Sequence, residues 1–187
     1  RISVAPGIDY KPFKLSKEIG RVEPYTVPVS AEQEQEVQKI LDEDIVVSMH
    51  DHAFIVPEDV SQIFEYQRNG RNWVGYEALS ISGIDIFFEN FMDGTAMITS
   101  KAGWKWTDII HDIGLRFSVL AHQDMMYLAL TYDDLLRAKK EGKIAMVATL
   151  EAATQIENEV DRVDVLYGLG IRCMGITYSE SNSLGSG

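Results

Sequence analysis

Residues 142–177 read GKIAMVATLEAATQIENEVDRVDVLYGLGIRCMGIT, two short apolar runs on either side of a helical stretch. The first run, Ile144 to Leu150, has the length and composition of a strand. Behind it Ile156, Val160, Val163 and Tyr167 fall at i, i+4, i+7 and i+11, the spacing of one apolar helix face. Gly170 closes that helix, and Ile171 to Thr177 forms the next strand. This is one strand, helix, strand unit, and the question is how often it recurs.

Toward the N-terminus the alternation repeats. Asp133 to Glu141 reads as a short helix ended by Gly142, as glycine after a last helical turn often does. Trp106-Thr107-Asp108 leads into a long helical stretch running to about Ala129. Ser82 to Phe88 reads as a strand. Pro57-Glu58-Asp59 opens a helix through SQIFEYQRNG, because proline suits a first turn and acidic residues favour the positive helix end. Ile45 to Met49 is short, apolar and rich in β-branched residues, which suits a strand buried on both faces. Before it Ser30 and Gln33 match a capping box for a helix reaching about Asp42. Residues 1 to about 30 hold four of the five prolines and no periodicity, so they read as an extended arm.

Four strand and helix alternations at this spacing call for right-handed crossovers and a parallel α/β sheet. An open doubly wound sheet and part of a (β/α)8 TIM-type barrel both satisfy that pattern. The barrel is favoured because His50, His52, Glu89, Asn90, Asp93, Glu151 and Tyr178 all stand at or just beyond the carboxyl ends of expected strands. About four β/α units are present, whereas a closed barrel takes eight and roughly 250 residues. The expected division is an arm and helix over 1–43 and the N-terminal half of a barrel over 44–187. The other half is expected from missing or disordered residues or from another chain.

Composition narrows the partners. The 187 residues are 45% hydrophobic, with 17 basic against 29 acidic side chains and a formal net charge of -12. Such a charge repels phosphate backbones and anionic membrane surfaces, so nucleic acid is not an expected partner. No apolar run approaches the roughly 18 residues of a membrane span. The single cysteine, Cys173, cannot form an internal disulfide and reads as a buried small residue in a strand. A cytoplasmic location is favoured, although a chain that begins without methionine leaves targeting open.

His50 and His52 are separated by one residue, so in an extended segment both imidazoles point to the same side. Two such nitrogens can reach one ion, and zinc accepts them, which makes this pair a candidate half site. The alternative is a pair of polar caps at a strand end. Glu151 strengthens the metal reading, because a carboxylate at the end of an apolar strand needs a partner. Its other possible partners are Lys101, Lys105 and Arg172. Glu89 and Asp93 read as loop carboxylates that cap helices or bind backbone amides. His111 and His122, in the long helix, read as surface or packing residues, and Trp73, Trp104 and Trp106 as core and rim packing. No dinucleotide fingerprint, nucleophile elbow or P-loop is present.

VVSMHDH at the first strand, GKIAMVATLEAATQI at the third unit and VDVLYGLGIRCMGITYSESNSLGSG at the fourth resemble the membrane (renal-type) dipeptidases, peptidase family M19, within the amidohydrolase-like metal-dependent hydrolases. The resemblance runs from about residue 44 to the end and is most specific from Gly142 to Asn182. It implies a zinc-dependent dipeptidase in which two zinc ions share an activated water. His50 would be a ligand of the first ion, and Glu151 the carboxylate bridging both. His52 departs from the aspartate common at its place, and Tyr178 from a histidine that contacts substrate. The family's two further histidine ligands and its catalytic aspartate belong to the second half of the barrel. A homo-oligomer is also implied. The rival readings are a catalytically silent barrel acting as a binding or assembly subunit, and an amidohydrolase acting on a non-peptide amide or a lactone.

Overall fold

The computed structural model describes residues 5–8, 14, 27–53, 57–62, 75–91, 105–178 and 181–187. Trp73, Lys101, Asp93, Trp104, most of the arm and the body of the helix expected after Pro57 lie outside these residues. The apolar run Ile144–Leu150 forms β4, and all seven of its residues are buried. β4 lies parallel to β2 (Ile86–Phe91) along its whole length, with Ile86 opposite Ala145 and Phe91 opposite Leu150. β1 (Val47–Asp51) pairs in parallel with the outer edge of β2. The other edge of β4 is shared by β3 (Met126–Leu128) against its first half and β5 (Ile171–Met174) against its second half. The sheet is therefore parallel throughout, and β1, β2, β4 and β5 keep the sequential order of successive barrel strands.

The helices explain themselves locally. α1 (Ala31–Glu43) starts at the expected capping box, with the Ser30 side chain accepting from Gln33 N. α2 (Tyr76–Ser82) stops at Gly83, whose φ of 78° is open to glycine and costly for other residues. α3 (Trp106–Leu120) turns Ile109, Ile113 and Val119 into the core beside Phe87 and Phe91 of β2. α4 (Tyr132–Glu141) is capped by Thr131 and, as read from the sequence, ended by Gly142. α5 (Arg162–Gly168) precedes β5. Among the described residues no helix is long and apolar enough to cross a membrane.

Several expectations are corrected. The stretch expected as one helix to Ala129 breaks after Leu120 and yields the short strand β3. The break lacks glycine and proline because the Gln123 side chain does the turn's work, donating to Leu120 O and Met126 O and accepting from Met126 N. The strand expected from Ser82 starts at Ile86, because α2 occupies the residues up to Ser82. Of the helix expected from Pro57 onward, the described residues show a 3-10 turn over Val60–Gln62, and the rest lies outside them. Of the apolar face assigned to the last helix only Ile156 is buried, in a 3-10 turn of its own, and Leu166 is the buried anchor of α5. β1 is not buried on both faces: Val47 is 40% and Met49 is 68% exposed. Cys173 lies in β5 as expected but is exposed rather than buried.

The opposite end of the sheet is held by one aspartate. Asp85 accepts from Val46 N and from Lys139 Nζ, while Lys139 also donates to Leu41 O.

Candidate metal centre

His50 lies within β1, His52 follows its end, and Glu151 follows β4, with β2 standing between the two strands. The three side chains converge. His50 Nε2 is 3.4 Å and His52 Nε2 is 3.8 Å from the same oxygen, Glu151 Oε1. The two imidazole rings meet edge to face at 5.1 Å. One ligating atom from each residue lies within 4.8 Å of the other two. A tetrahedral ion with bonds of about 2.0–2.1 Å keeps its ligand atoms roughly 3.3 Å apart, so a set of two imidazoles and one carboxylate at these spacings could hold a divalent metal.

Backbone and side chains place the three residues differently. Glu151 is set by β4 and by the approach of β5, where Gly175 N donates to Leu150 O at 2.8 Å. Any Cβ at Gly175 would collide with the Glu151 carbonyl oxygen, so glycine is required for this approach. The competing partner Arg172 is directed elsewhere, onto the carbonyls of Leu130, Tyr167 and Ile171.

On the histidine side, Asp51 accepts from Ser48 Oγ at 2.9 Å and from His52 N at 2.8 Å, fixing the backbone where the strand register shifts. Glu89 Oε2 accepts from Ala53 N at 2.9 Å, one residue beyond His52. Its other oxygen is paired with Arg116 of α3, and Asp112 lies 3.6 Å from the same guanidinium. Glu89, Asp112 and Arg116 are each no more than 2% exposed. Glu89 thus binds a backbone amide as expected, but from inside β2 rather than from a loop.

Asn90 reaches His50. Its amide lies 2.9 Å from His50 Nδ1 and, at its other end, 2.8 Å from Thr149 Oγ1. Sequence reasoning singled out Asn90 by position alone and passed over Arg116 and Thr149. A usable signal for Arg116 was its place on the apolar stripe of α3, seven residues after Ile109, with Asp112 at i−4. Charges of opposite sign within a buried stripe indicate a buried pair. His111 and His122 are exposed and apart from the centre, and Trp106 packs against the core with Arg162 stacked at 4.9 Å. Tyr178 stands beyond β5 and is 56% exposed.

Comparisons with known proteins bear on the fold and on the second half of the chain. Residues 108–187 match the family model described as Membrane dipeptidase (Peptidase family M19). Among solved structures, the probable dipeptidase PvdM from Pseudomonas aeruginosa aligns with a TM-score of 0.58 at 16% identity, covering 79% of this chain and 38% of its own. An amidohydrolase from Pseudomonas aeruginosa aligns at 0.55 and 16% identity, covering 80% and 39%. The dipeptidase AC, a metallopeptidase of family M19, aligns at 0.53 and 13% identity, covering 72% and 44%. The chain spans about two fifths of the length of the structures it matches. A comparison with curated proteins finds no match. The sheet is a partial barrel of the dipeptidase and amidohydrolase type, and over residues 108–187, which include Glu151, the resemblance is to membrane dipeptidase family M19.

Proposed function

We propose that the chain supplies the N-terminal half of the barrel of a metal-dependent hydrolase that cleaves dipeptides, with zinc as its metal. The observation that supports this most is the convergence of His50, His52 and Glu151 at the carboxyl ends of β1 and β4. His50 Nε2 and His52 Nε2 would hold the first ion together with Glu151 Oε1. Both imidazoles approach that one oxygen, and Glu151 would be the carboxylate shared with a second ion. Zinc bound there would supply a water of lowered pKa as nucleophile and a Lewis acid for the scissile carbonyl. Glu89 and Asp51 hold the backbone on either side of His52, so the ligands are oriented before substrate arrives. Tyr178 is assigned to substrate contact, and the remaining ligands and the group that protonates the leaving amine to the other half of the barrel.

The test is metal content and hydrolysis on the complete protein, with and without chelator, using dipeptides that include a C-terminal D-residue. The expected result is bound zinc and chelator-sensitive cleavage, both abolished by Glu151→Gln. Hydrolysis indifferent to chelators would overturn the mechanism. Metal binding with cleavage of a cyclic amide or lactone alone would keep the centre and replace the substrate class.

A further inference from the structure

Asn90 is 5% and Thr149 3% exposed, so the chain of contacts from His50 inward is closed to water. Thr149 Oγ1 lies 2.9 Å from Glu89 O and 2.8 Å from Asn90 Oδ1. Its hydroxyl has a single proton, which cannot be given fully to both carbonyls. The two ends of a carboxamide are nearly isosteric, so the count of donors decides which end faces which neighbour. It closes with the amide turned over. Thr149 then donates to Glu89 O, Asn90 Nδ2 donates to Thr149 Oγ1, and Asn90 Oδ1 faces His50 Nδ1. That carbonyl can only accept, so it requires the proton of His50 on Nδ1 and leaves the lone pair on Nε2. Nε2 is the nitrogen 3.4 Å from Glu151 Oε1.

We propose that Asn90 is a positioning residue that fixes the Nδ1–H tautomer of His50 through a relay anchored at Thr149 and the Glu89 carbonyl, and so keeps Nε2 ready for a metal ion. The relay lies within the backbone of β2 and β4, which pair at Asn90 and Thr149. It therefore transmits the fixed geometry of the central sheet to a histidine on the edge strand. Imidazole ligands gain orientation and basicity when the distal N–H has a fixed acceptor, and loss of such a partner costs about 10- to 100-fold in metal affinity.

The test uses the complete protein and two variants, Asn90→Leu and Asn90→Asp, with zinc affinity measured by competition against a chelator and His50 followed by nitrogen-15 NMR at mildly alkaline pH. A carboxylate can accept from Nδ1–H but its other oxygen competes with Glu89 O for the one proton of Thr149, so Asn90→Asp should weaken zinc binding but by clearly less than Asn90→Leu. Asn90→Leu should lose about 10- to 100-fold. Equal loss in both variants, or none in Asn90→Leu, would overturn the proposal. The affinity arm rests on the metal-centre reading, whereas the spectroscopic arm does not. The metal-free native protein should show Nδ1–H at His50, and an Nε2–H signal there would sink the tautomer assignment even if zinc binds.

Discussion

β4 is buried along all seven residues and paired on both edges, whereas β1 leaves Val47 and Met49 exposed and pairs only with β2 among the described residues. Each carries part of the same candidate centre. Glu151 inherits its position from a strand whose backbone cannot shift without opening the core. His50 and His52 inherit theirs from Asn90, Asp51 and Glu89, side chains that reach across from β2 or fold back on β1. An edge strand can thus present ligands accurately, provided that a buried neighbour lends it side-chain contacts.

The largest stability effect is expected where that lending is electrostatic. Arg116→Met leaves Glu89 charged and buried without its guanidinium, which should cost about 3–5 kcal/mol in denaturant unfolding, with much of it recovered by adding Glu89→Gln. A loss below about 1 kcal/mol would show that Glu89 is not held as a buried ion pair. Next, Leu150→Ala in β4 should cost about 2–5 kcal/mol, because Leu150 is 2% exposed within the core cluster. Val47→Ala in β1 should cost about 0.5 kcal/mol or less. Equal losses at the two positions would remove the contrast between the strands.

An effect between these two is expected at α4, which delivers the chain into β4. Thr131 caps this helix by accepting from Asp134 N, so Thr131→Ala should cost about 1 kcal/mol. The Leu130 backbone N–H, with further help from Thr131 and Arg137, holds the Asp134 carboxyl below its ordinary range. A lowered folded value stabilises the ionised form, so this contribution is complete above the usual aspartate range and fades as pH falls through the lowered value. Asp134→Asn should flatten that part of the acid limb in a stability-against-pH titration. An unchanged limb would contradict the assignment.

The sequence exposed the sheet well where strands are apolar runs bounded by helix stops. Ile144–Leu150, the Ser30 cap and Gly142 all read correctly because each signal is local. β3 stayed hidden because Gln123 closes its turn by side-chain hydrogen bonds, with neither glycine nor proline to mark it. Gly83 did carry the stop signal for α2 but was read as part of a strand. In the centre, His50, His52 and Glu151 were legible from residue type and strand position. The pairing of Arg116 with Glu89 was not, since the two are 27 residues apart in sequence and only the packing of α3 on β2 joins them.

The central claim is that His50, His52 and Glu151 share one metal ion. Anomalous diffraction at the zinc edge, on crystals of the complete protein grown with zinc, tests it most directly. A peak bonded to His50 Nε2, His52 Nε2 and a Glu151 carboxylate oxygen is the predicted result. Zinc bound elsewhere, with these three side chains still in mutual contact and free of metal, would contradict the account.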